Sequence, residues 1–231
     1  DVDFAECVEY FIDDPHTKVI CGYMESVRAS ARLRAAAERA LEAGKPIVLL
    51  KAGTTEEGAR TAMSHTAALT TSHDVFSAFA EQYGVRICDS FDEILSTADF
   101  LCRSKPLKGR GLGIWSFSGG ACSLAADHAV RGGFELPGLA EATRGELREI
   151  LSDYAPVSNP VDLVSLMVSR PETKPLQSVG RAVFSDPNID ATLMIMGIYH
   201  HVADQIAEDM TALFKESPTP FACVWVTGPH A

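Results

Sequence analysis

The chain of 231 residues predicts an α/β fold with two mainly parallel sheets in tandem. Three observations carry that. Short apolar runs alternate with segments of helical periodicity, as strand and crossover helix do in parallel sheets. A basic stretch marked by Pro and Gly, Ser104 to Gly111, interrupts the alternation near the middle, and the same strand and helix plan then restarts. The expected domains are therefore 1–104 and 105–231.

In the first domain Phe4, Val8, Phe11 and Ile12 recur at helical spacing, and Asp13-Asp14-Pro15 ends that helix in a turn. Lys18 to Met24 reads as a buried strand. Arg28 to Ala43 is rich in Ala and Arg with helical periodicity, Gly44 closes it, and Pro46 to Lys51 is a second apolar strand. Next come Ala52-Gly53-Thr54-Thr55 and a loop holding Met63-Ser64-His65-Thr66-Ala67-Ala68-Leu69. A helix from about Ser72 to Tyr83, a short strand Val85 to Cys88 and a helix over Asp89 to Leu101 complete this half.

The second domain opens on a strand, Leu112 to Phe117, followed by the small-residue turn Ser118-Gly119-Gly120-Ala121 and a helix to Val130 closed by Gly132-Gly133. Glu141 to Leu151 is helical. Ala155 to Leu163 holds two prolines and an Asn and reads as an extended or turn segment of fixed shape. Pro175 to Phe184 is a helix, Ala191 to Ile198 an apolar strand, Val202 to Phe214 a helix and Pro220 to Val226 the last strand.

With 46% hydrophobic and 22% charged residues, the chain has enough apolar matter for two cores. No window approaches the roughly 20 apolar residues of a membrane span, and the first residues lack the basic and apolar regions of a signal peptide. A cytoplasmic protein with no membrane partner is expected. The net charge of -11, with Lys and Arg unclustered, argues against a nucleic-acid surface. The six cysteines form no C-x-x-C pair and read as reduced packing residues. None has a His at ligand spacing, and His200-His201, adjacent on a strand, would point to opposite faces, so no metal site is expected.

Loops leaving the carboxyl ends of parallel strands form the ligand crevice. Glu25 after the first strand, Lys51 at the end of the second and His65 beyond it would converge at that edge. A loop histidine between small hydroxyl residues is suited to act as base, ligand or nucleophile near neutral pH. The plain alternatives stand beside this: a capping or solvated His65, a solvated Glu25, a surface Lys51. Likewise the Ser118-Gly119-Gly120 turn would present backbone N–H groups to a phosphate at a helix start, or would be Gly-rich only because a tight connection needs it.

Taken in order, Asp13-Asp14-Pro15-His16-Thr17-Lys18-Val19-Ile20 with Tyr23-Met24-Glu25, Lys45-Pro46-Ile47-Val48-Leu49-Leu50-Lys51-Ala52-Gly53, Ser64-His65-Thr66-Ala67-Ala68-Leu69, Ser118-Gly119-Gly120 and Asn159-Pro160-Val161-Asp162-Leu163 closely resemble the NDP-forming acyl-CoA synthetases, of the succinyl-CoA synthetase superfamily. The resemblance runs over essentially the whole chain. It implies two flavodoxin-like, ligase-type three-layer domains, with room in the first for strands preceding Asp1. It also implies synthesis of an acyl-CoA from a carboxylic acid, CoA and ATP through an acyl phosphate and a phosphohistidine. The phosphohistidine falls on His65 and the glutamate that orients it on Glu25. Phosphate binding falls on Ser118, Gly119 and Gly120 at a helix start, with Ser64 and Thr66 beside the histidine.

The same resemblance makes CoA and ATP/ADP with Mg substrates of a full enzyme, none held tightly by this piece. It calls for CoA-binding and ATP-grasp domains, in cis or as another subunit, and for a homo-oligomer. One residue departs from the pattern: the family usually has Gly after the His-Thr pair, where this chain has Ala67, and a Cβ there would hinder close backbone approach. Ala67 is the support for a different expectation, a regulatory ligand-binding domain of a protein acetyltransferase-like fusion. A flavodoxin-like ligand or redox module is the third, with no flavin-specific feature behind it.

Overall fold

The computed structural model describes residues 2–66, 72–151, 157–164, 174–197 and 203–226, with the backbone alone at 62–66 and 174. The chain divides into two compact units, Asp1–Ser104 and Lys105–Ala231.

The first unit runs α1 (Phe4–Asp13), β1 (Ile20–Met24), α2 (Ser30–Glu42), β2 (Ile47–Lys51), α3 (Glu56–Thr66), α4 (His73–Gln82), β3 (Arg86–Cys88) and α5 (Phe91–Arg103). Its sheet has the order β1-β2-β3, all parallel, with Ile20 opposite Ile47 and Met24 opposite Lys51. Asp3 and Glu6 start α1 with a reciprocal capping box, each side chain accepting from the other's backbone N–H. Ala5, Val8 and Ile12 then form its buried stripe. Leu33, Ala36, Ala37 and Ala40 form that of α2, where the small alanines let the helix backbone sit close. The ring of Phe4 fills the space that a β-carbon at Gly22 of β1 would need, so this close approach of helix to strand requires glycine.

One face of the sheet is covered by α1, α2 and α4, whose Val8, Leu33 and Phe76 join Leu49 in one core. On the other face α5 packs Ile94 over Val48 and Cys88. This explains a departure from the fully buried first strand that the apolar run suggests: Ile20 and Met24 are buried, but Cys21 and Tyr23 are exposed. β1 is an edge among the described strands, and on that face Tyr23 stacks on Phe91 of α5 at 6.1 Å. The cysteines depart in the same way. All six are free, and only Cys88 and Cys122 are buried, while Cys7, Cys21, Cys102 and Cys223 are exposed.

The second unit runs β4 (Leu112–Ser116), α6 (Gly119–Arg131), α7 (Glu141–Ile150), β5 (Val161–Asp162), α8 (Lys174–Phe184), β6 (Ala191–Met196), α9 (Ala203–Glu216) and β7 (Phe221–Trp225). The sheet order is β5-β4-β6-β7, again parallel throughout. Side chains of β4 alternate: Leu112 and Ile114 meet Ala125 and Ala129 of α6, whereas Trp115 enters the larger core under α7, α8 and α9. Its ring stacks on Phe221 at 6.2 Å. A β-carbon on Gly180 of α8 would stand 2.5 Å from a Leu213 methyl and 3.2 Å from the Trp115 ring, which is why the helix interior carries a glycine there.

Three different pieces cover the outer edge of β4. Leu112 donates its N–H to the Glu135 carbonyl at 2.8 Å. The Asn159 side chain accepts from the Ile114 N–H at 3.0 Å and donates to the carbonyls of Leu112 at 2.8 Å and Pro137 at 3.0 Å. Val161 and Asp162 then pair with Trp115 and Ser116. Within the segment expected to be an extended or turn piece, β5 is thus a short strand, following the cis Asn159-Pro160 peptide. Asn159→Ala removes three hydrogen bonds at half-buried positions and is expected to cost about 2–3 kcal/mol. Urea unfolding followed by circular dichroism should show the lowered midpoint, and an unchanged midpoint would refute the bridging role.

Candidate functional site

The carboxyl ends of β1 and β2 lie side by side, because Met24 and Lys51 are in register. Glu25 is the next residue after β1. The residue is half-buried, and its carboxylate accepts a solvent-exposed hydrogen bond from the Tyr23 hydroxyl at 3.1 Å. Burial first, and this carboxylate second, raise the pKa of that phenol. Met24 and Ser26, either side of Glu25, line a cavity of about 280 Å³ that also meets Phe4, Arg28 and Leu33.

Lys51 is not the surface charge that a strand end suggests; it is 4% exposed. Its ammonium donates to the backbone carbonyls of Glu25 at 3.0 Å and of Ala52 at 2.5 Å, and stands 5.9 Å from the centre of the Phe76 ring. Burial pulls its pKa down, and the negative charge of Glu25 opposes that shift.

The backbone of Ser64, His65 and Thr66 forms the last turn of α3, where a loop was expected. The physical reason is local. Thr55 accepts from the Gly58 N–H at 3.1 Å, Glu56 and Glu57 place negative charge in the first turn, and the sequence on to Thr66 contains no Pro. Ala67, and the side chains of Ser64, His65 and Thr66, lie outside the described residues. The structure therefore brings Glu25 and Lys51 together at one edge and puts the backbone of His65 in the helix that follows β2.

In the second unit Ser118 is the N-cap of α6, and its hydroxyl accepts from the Ala121 N–H at 3.3 Å. Gly119 and Gly120 are the first two helical residues rather than a turn before the helix. As the first two helical residues their N–H groups have no preceding turn of the helix to bond to, so they are donors at its positive end. Ser118 is itself fixed, since its N–H donates to Ser116 Oγ at 3.1 Å, and the Ser116 hydroxyl donates to the Ile195 carbonyl at 2.8 Å.

Asp162 is quoted above within the Asn159-Pro160-Val161-Asp162-Leu163 motif, but sequence reasoning gave it no role here. Its Oδ1 accepts from the Val164 N–H at 2.9 Å, and its Oδ2 stands 2.8 Å from where a β-carbon on Gly119 would lie. Glycine at 119 is thus needed for the carboxylate to approach, and the carboxylate sets its charge beside the helix start. Burial and, to a lesser degree, Asp162 push the nearby Cys122 thiol up to about 11. The available signal was position: Asp162 ends a strand at the same sheet edge from which α6 departs.

Among the described residues no group of three His, Cys, Asp or Glu side chains is placed to hold a metal ion, and no helix is long and apolar enough to cross a membrane.

Residues 1–101 match the family model of the succinyl-CoA ligase like flavodoxin domain. The chain is 34% identical over 195 residues to the alpha subunit of acetate–CoA ligase [ADP-forming] II from Pyrococcus furiosus, covering 84% of this chain and 41% of that protein. It is 36% identical over 165 residues to a trans-feruloyl-CoA synthase from an unknown prokaryotic organism, covering 71% of this chain and 23% of that protein. The chain thus spans less than half the length of these relatives. In fold it is similar to the dinucleotide forming acetyl-coenzyme A synthetase 1 of Ca. Korarchaeum cryptofilum, with a TM-score of 0.85 over 99% of this chain and 49% of that one, at 24% identity. Fold, motif order and relatives agree that the chain belongs to the NDP-forming acyl-CoA synthetase family, of which it carries flavodoxin-like ligase-type domains.

Proposed function

We propose that this chain supplies the phosphoryl-carrying part of an ADP-forming acyl-CoA synthetase, with 1–104 and 105–231 as its first and second ligase domains. The observation that carries the reading is the placement of Glu25 at the joined ends of β1 and β2, in the unit whose next helix bears His65. In the proposed sequence a ring nitrogen of His65 attacks the γ-phosphorus of ATP, supplied with Mg, and ADP leaves. A carboxylate oxygen of the acid then takes the phosphoryl group from the histidine, giving an acyl phosphate. The CoA sulfur finally attacks the acyl carbon and phosphate departs. Glu25, accepting a hydrogen bond from one ring nitrogen, fixes the tautomer that leaves the other nucleophilic. Each unit has its own proposed donors to phosphoryl oxygens: Ser64 and Thr66 beside the histidine in the first, and Ser118 with the Gly119 and Gly120 amides in the second.

This assigns CoA and nucleotide binding to CoA-binding and ATP-grasp parts, in cis or on another subunit, and leaves the acid unassigned, since one relative is an acetate–CoA ligase and another a trans-feruloyl-CoA synthase. Six free cysteines suit a reducing compartment such as the cytoplasm. The second reading, a regulatory ligand-binding domain, has Ala67 in its favour.

The test uses the protein that carries these domains with its CoA-binding and ATP-grasp parts, incubated with ATP labelled at the γ-phosphate. The label should appear on His65, stable to base and labile to acid, and should be discharged by acid and CoA. Acyl-CoA synthesis without label on the His65 peptide would overturn the proposal.

A further inference from the structure

Lys51 takes no chemical part in those steps, yet among the described residues it is the only buried lysine or arginine. Burying an ammonium is costly unless its donors are satisfied. Here no described carboxylate reaches ion-pair distance, and two backbone carbonyls and the face of Phe76 do that work instead. Where those carbonyls lie is informative. The β1 and β2 ladder ends at Met24 and Lys51, with a last bond from the Ala52 N–H to the Met24 carbonyl at 2.9 Å. Beyond that point nothing in the sheet would hold the Glu25 backbone. The Lys51 ammonium closes the gap by binding the Glu25 carbonyl and the Ala52 carbonyl together.

We propose that Lys51 is a positioning residue, whose ammonium pins the Glu25 backbone to the end of β2 and so fixes where the Glu25 carboxylate is presented. This rests on the reading in which Glu25 orients His65. A side chain launched from an untethered residue would sample positions an ångström or more apart, enough to misplace a hydrogen bond to an imidazole.

The test compares Lys51→Met, Glu25→Gln and the double variant in the acyl-CoA synthetase that contains this chain. Lys51→Met keeps the apolar stem and removes the donors. It should lower kcat about tenfold to a hundredfold while KM for acid and nucleotide stays within about twofold. Because Lys51 acts through Glu25, the double variant should be no slower than the slower single one. Losses that multiply in the double variant, a full kcat in Lys51→Met, or a loss confined to KM would overturn the proposal while leaving the role of Glu25 intact. Full activity of Glu25→Gln would instead remove that role, and this proposal with it. Lys51→Gln, which retains one donor group, repeats the comparison should Lys51→Met not fold. If neither variant shows the helical far-UV signal, Lys51 is a residue of the fold and not of the site, and the proposal fails.

Discussion

His65→Asn should abolish acyl-CoA synthesis by the protein carrying these domains, with a loss of about a thousandfold or more. Asn keeps the approximate size and polarity of the residue but has no ring nitrogen able to form a phosphoramidate, so the label from ATP should vanish together with turnover. A merely structural histidine at the end of α3 behaves differently: the amide substitution would leave much of the rate and change stability instead. Retained synthesis by a folded His65→Asn protein therefore decides against the phosphohistidine. Ala67→Gly belongs in the same experiment. If the Cβ of Ala67 obstructs backbone approach to the phosphoryl group, its removal should raise the labelling rate, and an unchanged rate would mean that the residue is tolerated there.

Trp115→Ala carries the largest expected effect on stability. The ring is fully buried, stacked on Phe221, and packed with Leu147, Val179 and Leu213 in the core on which α7, α8 and α9 converge. Truncation should cost about 3–5 kcal/mol, a large share of what holds a domain folded. Trp115→Phe is the informative companion. The indole N–H has no hydrogen-bond partner among the described residues, so replacing the indole by a phenyl ring gives up volume but no bond. It should cost about 1–1.5 kcal/mol. Urea unfolding read by circular dichroism distinguishes the two, and equal costs would show that a bond to the indole matters after all.

The sequence reveals element type and order where periodicity is long, as in α1, α2 and β2, and where Gly44 or Pro15 marks an end. Boundaries shifted only by a residue or two at most of these elements, since helix ends depend on caps such as Ser118. What periodicity does not carry is neighbours. Tyr23 lies in an apolar run, yet it is exposed because only one helix covers that face of an edge strand. Lys51 reads as a charge leaving a strand, yet two carbonyls and a phenyl ring give it a buried seat. For the same reason the approach of Asp162 to Gly119 was invisible, since it joins residues from two separate strand ends. His65 was noticeable as a residue type, but nothing in its spacing assigns it a role; the role proposed for it rests on the order of the motifs around it.

The patchwork on the outer edge of β4 has a consequence for the behaviour of the protein in concentrated solution. A regular edge strand offers an alternating row of N–H and C=O groups on which another chain can add a strand. Here the hydrogen-bonding groups of β4 are taken up by the Glu135 backbone, by the amide of Asn159 and by a strand of only two residues. Of these pieces only Val161–Asp162 is a strand among the described residues, and it is two residues long. The irregularity makes this side of the sheet a poor template for association with a second molecule.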